Sequence, residues 1–151
     1  MTTQRLGLIM NGVTGRMGLN QHLIRSIVAI RDSGGVGLSN GDRVMPDPIL
    51  VGRDAGKVAR LAKQFNVARW TTDLDQALTD RNDTVFFDAA TTQARPSLLT
   101  KAIDAGKHVY CEKPIATTFD EALAVVKLAN AKGVKHGTVQ DKLFLDRKSV
   151  V

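Results

Sequence analysis

A chain of 151 residues with 43% hydrophobic and 24% charged side chains is long enough for one domain with a real core and too apolar for a disordered chain. Its net charge of +6 comes from Lys and Arg spread along predicted helix faces without a basic run, which argues against a nucleic-acid partner and suits a small anionic ligand. The single cysteine, Cys111, excludes an internal disulfide, no apolar run reaches membrane-spanning length, and the N-terminus enters a strand pattern without a signal-peptide core, so a soluble cytoplasmic protein is expected.

Leu6, Gly7, Leu8, Ile9 and Met10 read as a strand buried on both faces, and glycines follow at once. From Arg16 to about Ile30 the apolar residues Met17, Leu19, Leu23, Ile24, Ile27, Val28 and Ile30 recur at near-helical spacing, which predicts an amphipathic helix. The stretch from Ser33 to Pro48 is rich in Gly, Asn, Asp and Pro and is expected to be a long surface loop. Ile49, Leu50 and Val51 predict a second strand, followed by a helix from about Ala55 to Phe65 with Val58, Leu61, Ala62 and Phe65 inward, and a brief strand from Val67 to Trp70.

Asp73 to Leu78 fits a short helix, and Thr84, Val85, Phe86 and Phe87 a buried strand that ends at Asp88. A helix from Arg95 stops before Gly106, a residue suited to the left-handed position after a helix end. The next strand, His108 to Cys111, leads to Glu112, Lys113 and Pro114, and Thr118 with Glu121 forms a capping box for a helix running to Lys132. A last strand covers Val134 to Val139. Strand and helix alternate throughout, so the expected fold is α/β, a doubly wound parallel sheet with right-handed crossovers.

Gly12, Gly15 and Gly18 occupy the first, fourth and seventh positions of a turn between the first strand and the first helix. The first permits a tight turn, the second lets backbone approach a pyrophosphate, and free N–H groups at the helix start hold the anion. This context makes the sequence a Rossmann-type dinucleotide-binding candidate, with Gly12, Thr14, Gly15, Arg16 and Met17 as cofactor contacts. The second strand ends Val51-Gly52-Arg53-Asp54. Gly52 stands where an NAD-specific domain carries an acid for the ribose hydroxyls, and Arg53 could pair with the 2′-phosphate of NADP, with Arg16 as a second cation. NADP is therefore the expected cofactor and NAD the alternative. The competing reading makes Arg53 a solvated charge beside a helix capped by Asp54.

Glu112, Lys113 and Pro114 lie at the carboxyl end of a predicted strand, the edge where open α/β sheets bind ligands, which makes Glu112 and Lys113 candidate cofactor contacts. The Lys113 ammonium could stabilise negative charge on a substrate oxygen during hydride transfer. The three histidines, His22, His108 and His136, have no metal-ligand spacing, and Cys111 has no evident nucleophile partner, so no metal site is assigned.

The run Ala105-Gly106-Lys107-His108-Val109-Tyr110-Cys111-Glu112-Lys113-Pro114 resembles the signature of the Gfo/Idh/MocA oxidoreductase family, and with the glycine turn the resemblance extends from about Leu6 to Phe144. It implies an NAD(P)-dependent dehydrogenase acting on a sugar, cyclitol or related polyol, with Lys113 matching the lysine that contacts substrate and nicotinamide. Thr91, Thr92 and Gln93 stand where the family often has Thr-Pro-Asn, so Thr91 and Thr92 are cofactor candidates by position in a departing motif. The resemblance also implies a second α/β domain with the general acid/base, absent from this chain, and leaves self-association of the full-length protein open.

Residues 1–145 are accordingly read as the cofactor domain. Asp146-Arg147-Lys148-Ser149-Val150-Val151 is read as a non-native tail, because the leading codons of a common sequencing adapter encode it. Little or no turnover is expected of the chain alone, since proton transfer needs a positioned acid/base. The alternatives are a relative of dihydrodipicolinate reductase, whose glycine loop is also similar to Gly12–Gly18 with Arg16 and Met17, and a non-catalytic dinucleotide-sensing module.

Overall fold

The computed structural model describes residues 2–140; the tail assigned to 146–151 and the end of the resemblance near Phe144 lie outside them. The strands are β1 (Thr3–Asn11), β2 (Val36–Gly37), β3 (Arg43–Val51), β4 (Arg69–Thr71), β5 (Asp83–Asp88), β6 (His108–Cys111) and β7 (His136–Thr138). They form a sheet in the order β2-β3-β1-β5-β6-β7, with β4 beside β3. All pairings are parallel except the short β2–β3 ladder. The helices are α1, in two parts over Gly18–Val28 and Ala29–Asp32, then α2 (Ala55–Gln64), α3 (Leu74–Thr79), α4 (Arg95–Asp104) and α5 (Phe119–Ala131).

Alternation along the strands sends neighbouring residues to opposite faces. Leu8, Met10, Leu50 and Phe87 pack on one side with Leu23 of α1 and Val58 and Ala62 of α2. Ile9, Val51, Phe86, Val109 and Cys111 pack on the other with Leu99, Ala102 and Ile103 of α4 and Val125 and Ala129 of α5. Each fully buried Leu, Ile or Phe contributes about 1.5–3 kcal/mol, so two faces filled this way secure the doubly wound layering.

One expectation is corrected. The stretch from Ser33 to Pro48 is not a loop: it holds β2 and the first six residues of a nine-residue β3. Pro46 and Pro48 had argued against a strand, because each removes a ladder N–H. They pair with Leu6 and Leu8 of β1, and between Met45 and Pro48 the other side of β3 has no sheet neighbour, which leaves room for the missing donors. The helix expected from Arg16 does begin there, and from Gly18 to Val28 it is wound with i→i−5 bonds. Its inward residues Leu19, Leu23 and Ile27 recur at every fourth position, a spacing the wider turn also keeps on one face.

Local signals hold at the ends of other helices. Thr118 Oγ1 accepts from the Glu121 amide at 3.3 Å while Glu121 Oε2 accepts from the Thr118 amide at 3.2 Å, a reciprocal cap for α5. Thr118→Ala is expected to cost about 1 kcal/mol in urea unfolding, and an unchanged midpoint would remove the cap from the account of α5. Gly106 and Gly133 follow α4 and α5 at φ +76° and +67°.

Candidate functional site

The carboxyl ends of β1, β3 and β5 open into a cleft of about 600 Å³, lined by Asn11, Gly12, Thr14–Met17, Val51–Arg53, Thr72, Leu74, Ala89–Thr91, Ala94 and Leu98. It sits where the chain, having run from β1 to β3 on one side, returns to β5 on the other, the switch point of the sheet.

The three glycines of the first turn do different work. Gly12 has φ +80°, and a Cβ there would lie 2.6 Å from the Ala89 carbonyl carbon and the Ala90 nitrogen. Gly15 is exposed and a Cβ would meet only the Gly12 oxygen at 3.4 Å, so a side chain there would project into the cleft instead of into protein. A Cβ at Gly18 would overlap the Gly12 carbonyl, so this glycine lets α1 sit against the turn. Together they leave a backbone-lined cradle at a helix start, which fits a pyrophosphate.

The second wall is Val51-Gly52-Arg53. Gly52 is buried, its amide donating to the Thr71 carbonyl at 3.3 Å, and a Cβ on it would lie 2.7 Å from Val58 Cγ2. Arg53 and Arg16 are exposed on the same cleft. Asp54 caps α2 by accepting from the Lys57 amide at 2.9 Å, which holds its carboxyl below the usual carboxylate range.

Of the sequence candidates, Gly12, Thr14, Gly15, Arg16, Met17, Gly52, Arg53 and Thr91 line the cleft, whereas Thr92, Glu112 and Lys113 do not. Thr92 lies in the turn that starts α4, its carbonyl accepting from the Arg95 amide at 3.2 Å. Glu112 is buried: Oε1 meets His22 Nε2 at 2.5 Å and Oε2 accepts from the Lys113 amide at 3.1 Å. Lys113 is exposed beyond the end of β6, next to a cis bond to Pro114.

Residues 48–139 match the model of the oxidoreductase family with an NAD-binding Rossmann fold, Gfo/Idh/MocA. The chain belongs to the Gfo/Idh/MocA oxidoreductase family. It is 48% identical to the D-xylose dehydrogenase of Paenarthrobacter nicotinovorans over 136 residues, 90% of this chain and 35% of that protein. GenD2 of gentamicin A biosynthesis, solved in complex with NAD, superposes with a TM-score of 0.70 at 27% identity, covering 89% of this chain and 34% of that one. A levoglucosan dehydrogenase solved with NADH and levoglucosan shares the fold at TM-score 0.74 and 24% identity, over 89% of this chain and 35% of that one. The chain therefore spans about a third of the length of the relatives it matches. No helix among the described residues is long and apolar enough to cross a membrane, and none of their His, Cys, Asp and Glu side chains form a group suited to a metal ion.

Sequence reasoning missed the polar core behind this Gfo/Idh/MocA cleft. Asp88, fully buried at the end of β5, accepts from Asn11 Nδ2 at 2.8 Å and from Arg95 Nε at 3.0 Å. Arg95 is itself 2% exposed. A signal was present: Arg95 is the first residue of α4, where a positive charge opposes the helix dipole and needs another reason to be there. Cys111 is buried beside this pair, which pushes its thiol up and leaves it a poor nucleophile.

Proposed function

We propose that residues 1–145 are the cofactor domain of an NAD(P)-dependent dehydrogenase acting on a sugar, cyclitol or related polyol, that residues 146–151 lie outside it, and that a second domain supplies substrate contacts and the general acid/base. The observation that carries the reading is the backbone-lined cleft at the sheet switch point. The substrate class follows from relatives that are a D-xylose dehydrogenase and a 1,5-anhydro-D-fructose reductase.

In this reading the glycine turn, with Thr14, Arg16 and Met17, seats the pyrophosphate, and the Ala89–Thr91 loop forms the wall beside the nicotinamide half. A bound nicotinamide would give or accept the hydride. Lys113, at the carboxyl edge of the sheet, would hold the substrate oxygen and stabilise the charge that gathers on it. Glu112 contributes from behind: its carboxylate fixes the Lys113 amide instead of touching the cofactor. The chain alone binds cofactor and turns over little or no substrate, because in this reading the general acid/base belongs to the second domain.

NADP is preferred over NAD in this reading. Val58 leaves no room for an acidic side chain at Gly52, and two arginines stand on the same rim. Calorimetric titration with NADPH and NADH tests it. The wild-type chain should bind NADPH tighter, and Arg53→Ala should weaken NADPH by about 10- to 100-fold, the worth of one charge-assisted phosphate contact, while leaving NADH nearly unchanged. Equal binding of both cofactors would leave Arg53 as a solvated charge; no binding by a folded chain would overturn the cofactor reading.

A further inference from the structure

The Glu112-Lys113-Pro114 loop is held at one end by a backbone bond to β5 and at the other by a buried ion pair. The Asp88 carbonyl accepts from the Glu112 amide at 2.8 Å. The Asp88 carboxylate accepts from Arg95 Nε at 3.0 Å, and an Arg95 terminal nitrogen donates to the Pro114 carbonyl. The backbone of β5 thus fixes the residue before Lys113, and the Asp88 carboxylate orients Arg95 onto the residue after it.

The same pair reaches two walls of the cleft. The other terminal nitrogen of Arg95 donates to the Ala90 carbonyl at 2.6 Å, and the second carboxylate oxygen of Asp88 accepts from Asn11, whose neighbour is Gly12. A planar guanidinium with donors in fixed directions can serve acceptors on three segments at once, which an ammonium cannot do.

We infer that Arg95 and Asp88 are the positioning residues of the nicotinamide end of the site, holding Lys113 and the Ala90 wall in one geometry with each other. The inference rests on the cofactor-domain reading above. It separates two halves of the cleft: the Gly52–Arg53 side makes none of these contacts, so the adenosine half is independent of the clamp.

The test compares NADH with ADP-ribose, which lacks the nicotinamide; neither has a 2′-phosphate, so the cofactor preference does not enter. Arg95→Lys keeps the charge opposite Asp88 but loses the fork. The double variant Asp88→Asn/Arg95→Gln removes both buried charges and guards against a variant that does not fold. Titrations follow quenching of Trp70, the only tryptophan, and the emission of bound NADH.

The expected result, in whichever variant keeps the wild-type circular dichroism, is NADH weakened about tenfold and the emission of bound NADH returned toward that of free NADH, with ADP-ribose affinity within about twofold of wild type. Equal losses for both ligands, or no loss for either, would overturn the positioning role and leave the pair as packing. Failure of both variants to fold would likewise make the pair structural. A wild-type chain that binds neither ligand would instead overturn the parent reading, a result seen before any variant is made.

Discussion

Gly12→Ala is expected to remove measurable NADH and NADPH binding and to lower the unfolding free energy by about 2–4 kcal/mol. The residue has φ +80°, which costs an L side chain about 1–2 kcal/mol, and its Cβ would press on the backbone between Ala89 and Ala90. Backbone cannot rotate away as a side chain can, so relief has to come from moving β1 or the loop after β5, the two walls of the cleft. Urea unfolding and calorimetric titration on the same sample check both effects. Wild-type affinity in a destabilised variant would show that the turn shapes the fold but not the ligand site.

The second large effect lies at the opposite end of the sheet. Asp83 is fully buried at the start of β5, with Arg69 donating to both carboxylate oxygens at 2.8 and 2.9 Å and Arg5 donating to one at 3.0 Å. Asp47 completes the cluster, accepting from Arg5 Nε at 2.6 Å. Gly7 makes the arrangement possible, since a Cβ on it would overlap Asn82 and Asp83. Asp83→Asn leaves two guanidinium groups facing a neutral amide and is expected to cost about 3 kcal/mol, the low end for a broken buried pair because Arg5 is partly exposed.

The pH dependence has a definite sign. Burial pushes the Asp83 carboxyl up, but the hydrogen bonds and charges of Arg69 and Arg5 outweigh it and hold the group below the usual carboxylate range. A carboxyl with a lower pKa folded than unfolded contributes its full stability above the unfolded value near 4, and loses it as the pH falls through the folded value. The stability gap between wild type and Asp83→Asn should therefore narrow as the pH is lowered from about 5 toward 3. A gap that stays constant through that range would mean that Asp83 takes up its proton alike in the folded and unfolded chain, so that the arginines do not favour its charged form.

The failures of the sequence reading have a common cause. The 33–48 segment looked like a loop because its Gly, Asn and Pro content speaks against a strand, yet β1 offered a ladder on one side and the other side of β3 made no demand at Pro46 and Pro48. Glu112 was read as a cofactor contact because it adjoins Lys113, but strand alternation turns it inward to His22, a residue ninety positions away. Asp88 and Arg95 drew no functional notice, since a strand-end acid and a helix-start arginine are each ordinary alone.

The sequence by itself determined what depends on neighbours in the chain: strand followed by glycine turn and helix at Gly12–Gly18, the alternation of elements, the caps at Thr118 and Asp54, and the family through the run ending at Glu112-Lys113-Pro114. Period and spacing are local properties, and a short window contains them. Only the tertiary structure decided which polar groups meet behind the cleft. The Asn11–Asp88, Arg5–Asp47 and Arg5–Asp83 contacts join residues 77, 42 and 78 positions apart. Those contacts form because each charge taken out of water needs a partner, and parallel strands with long crossovers bring the partners from distant parts of the chain.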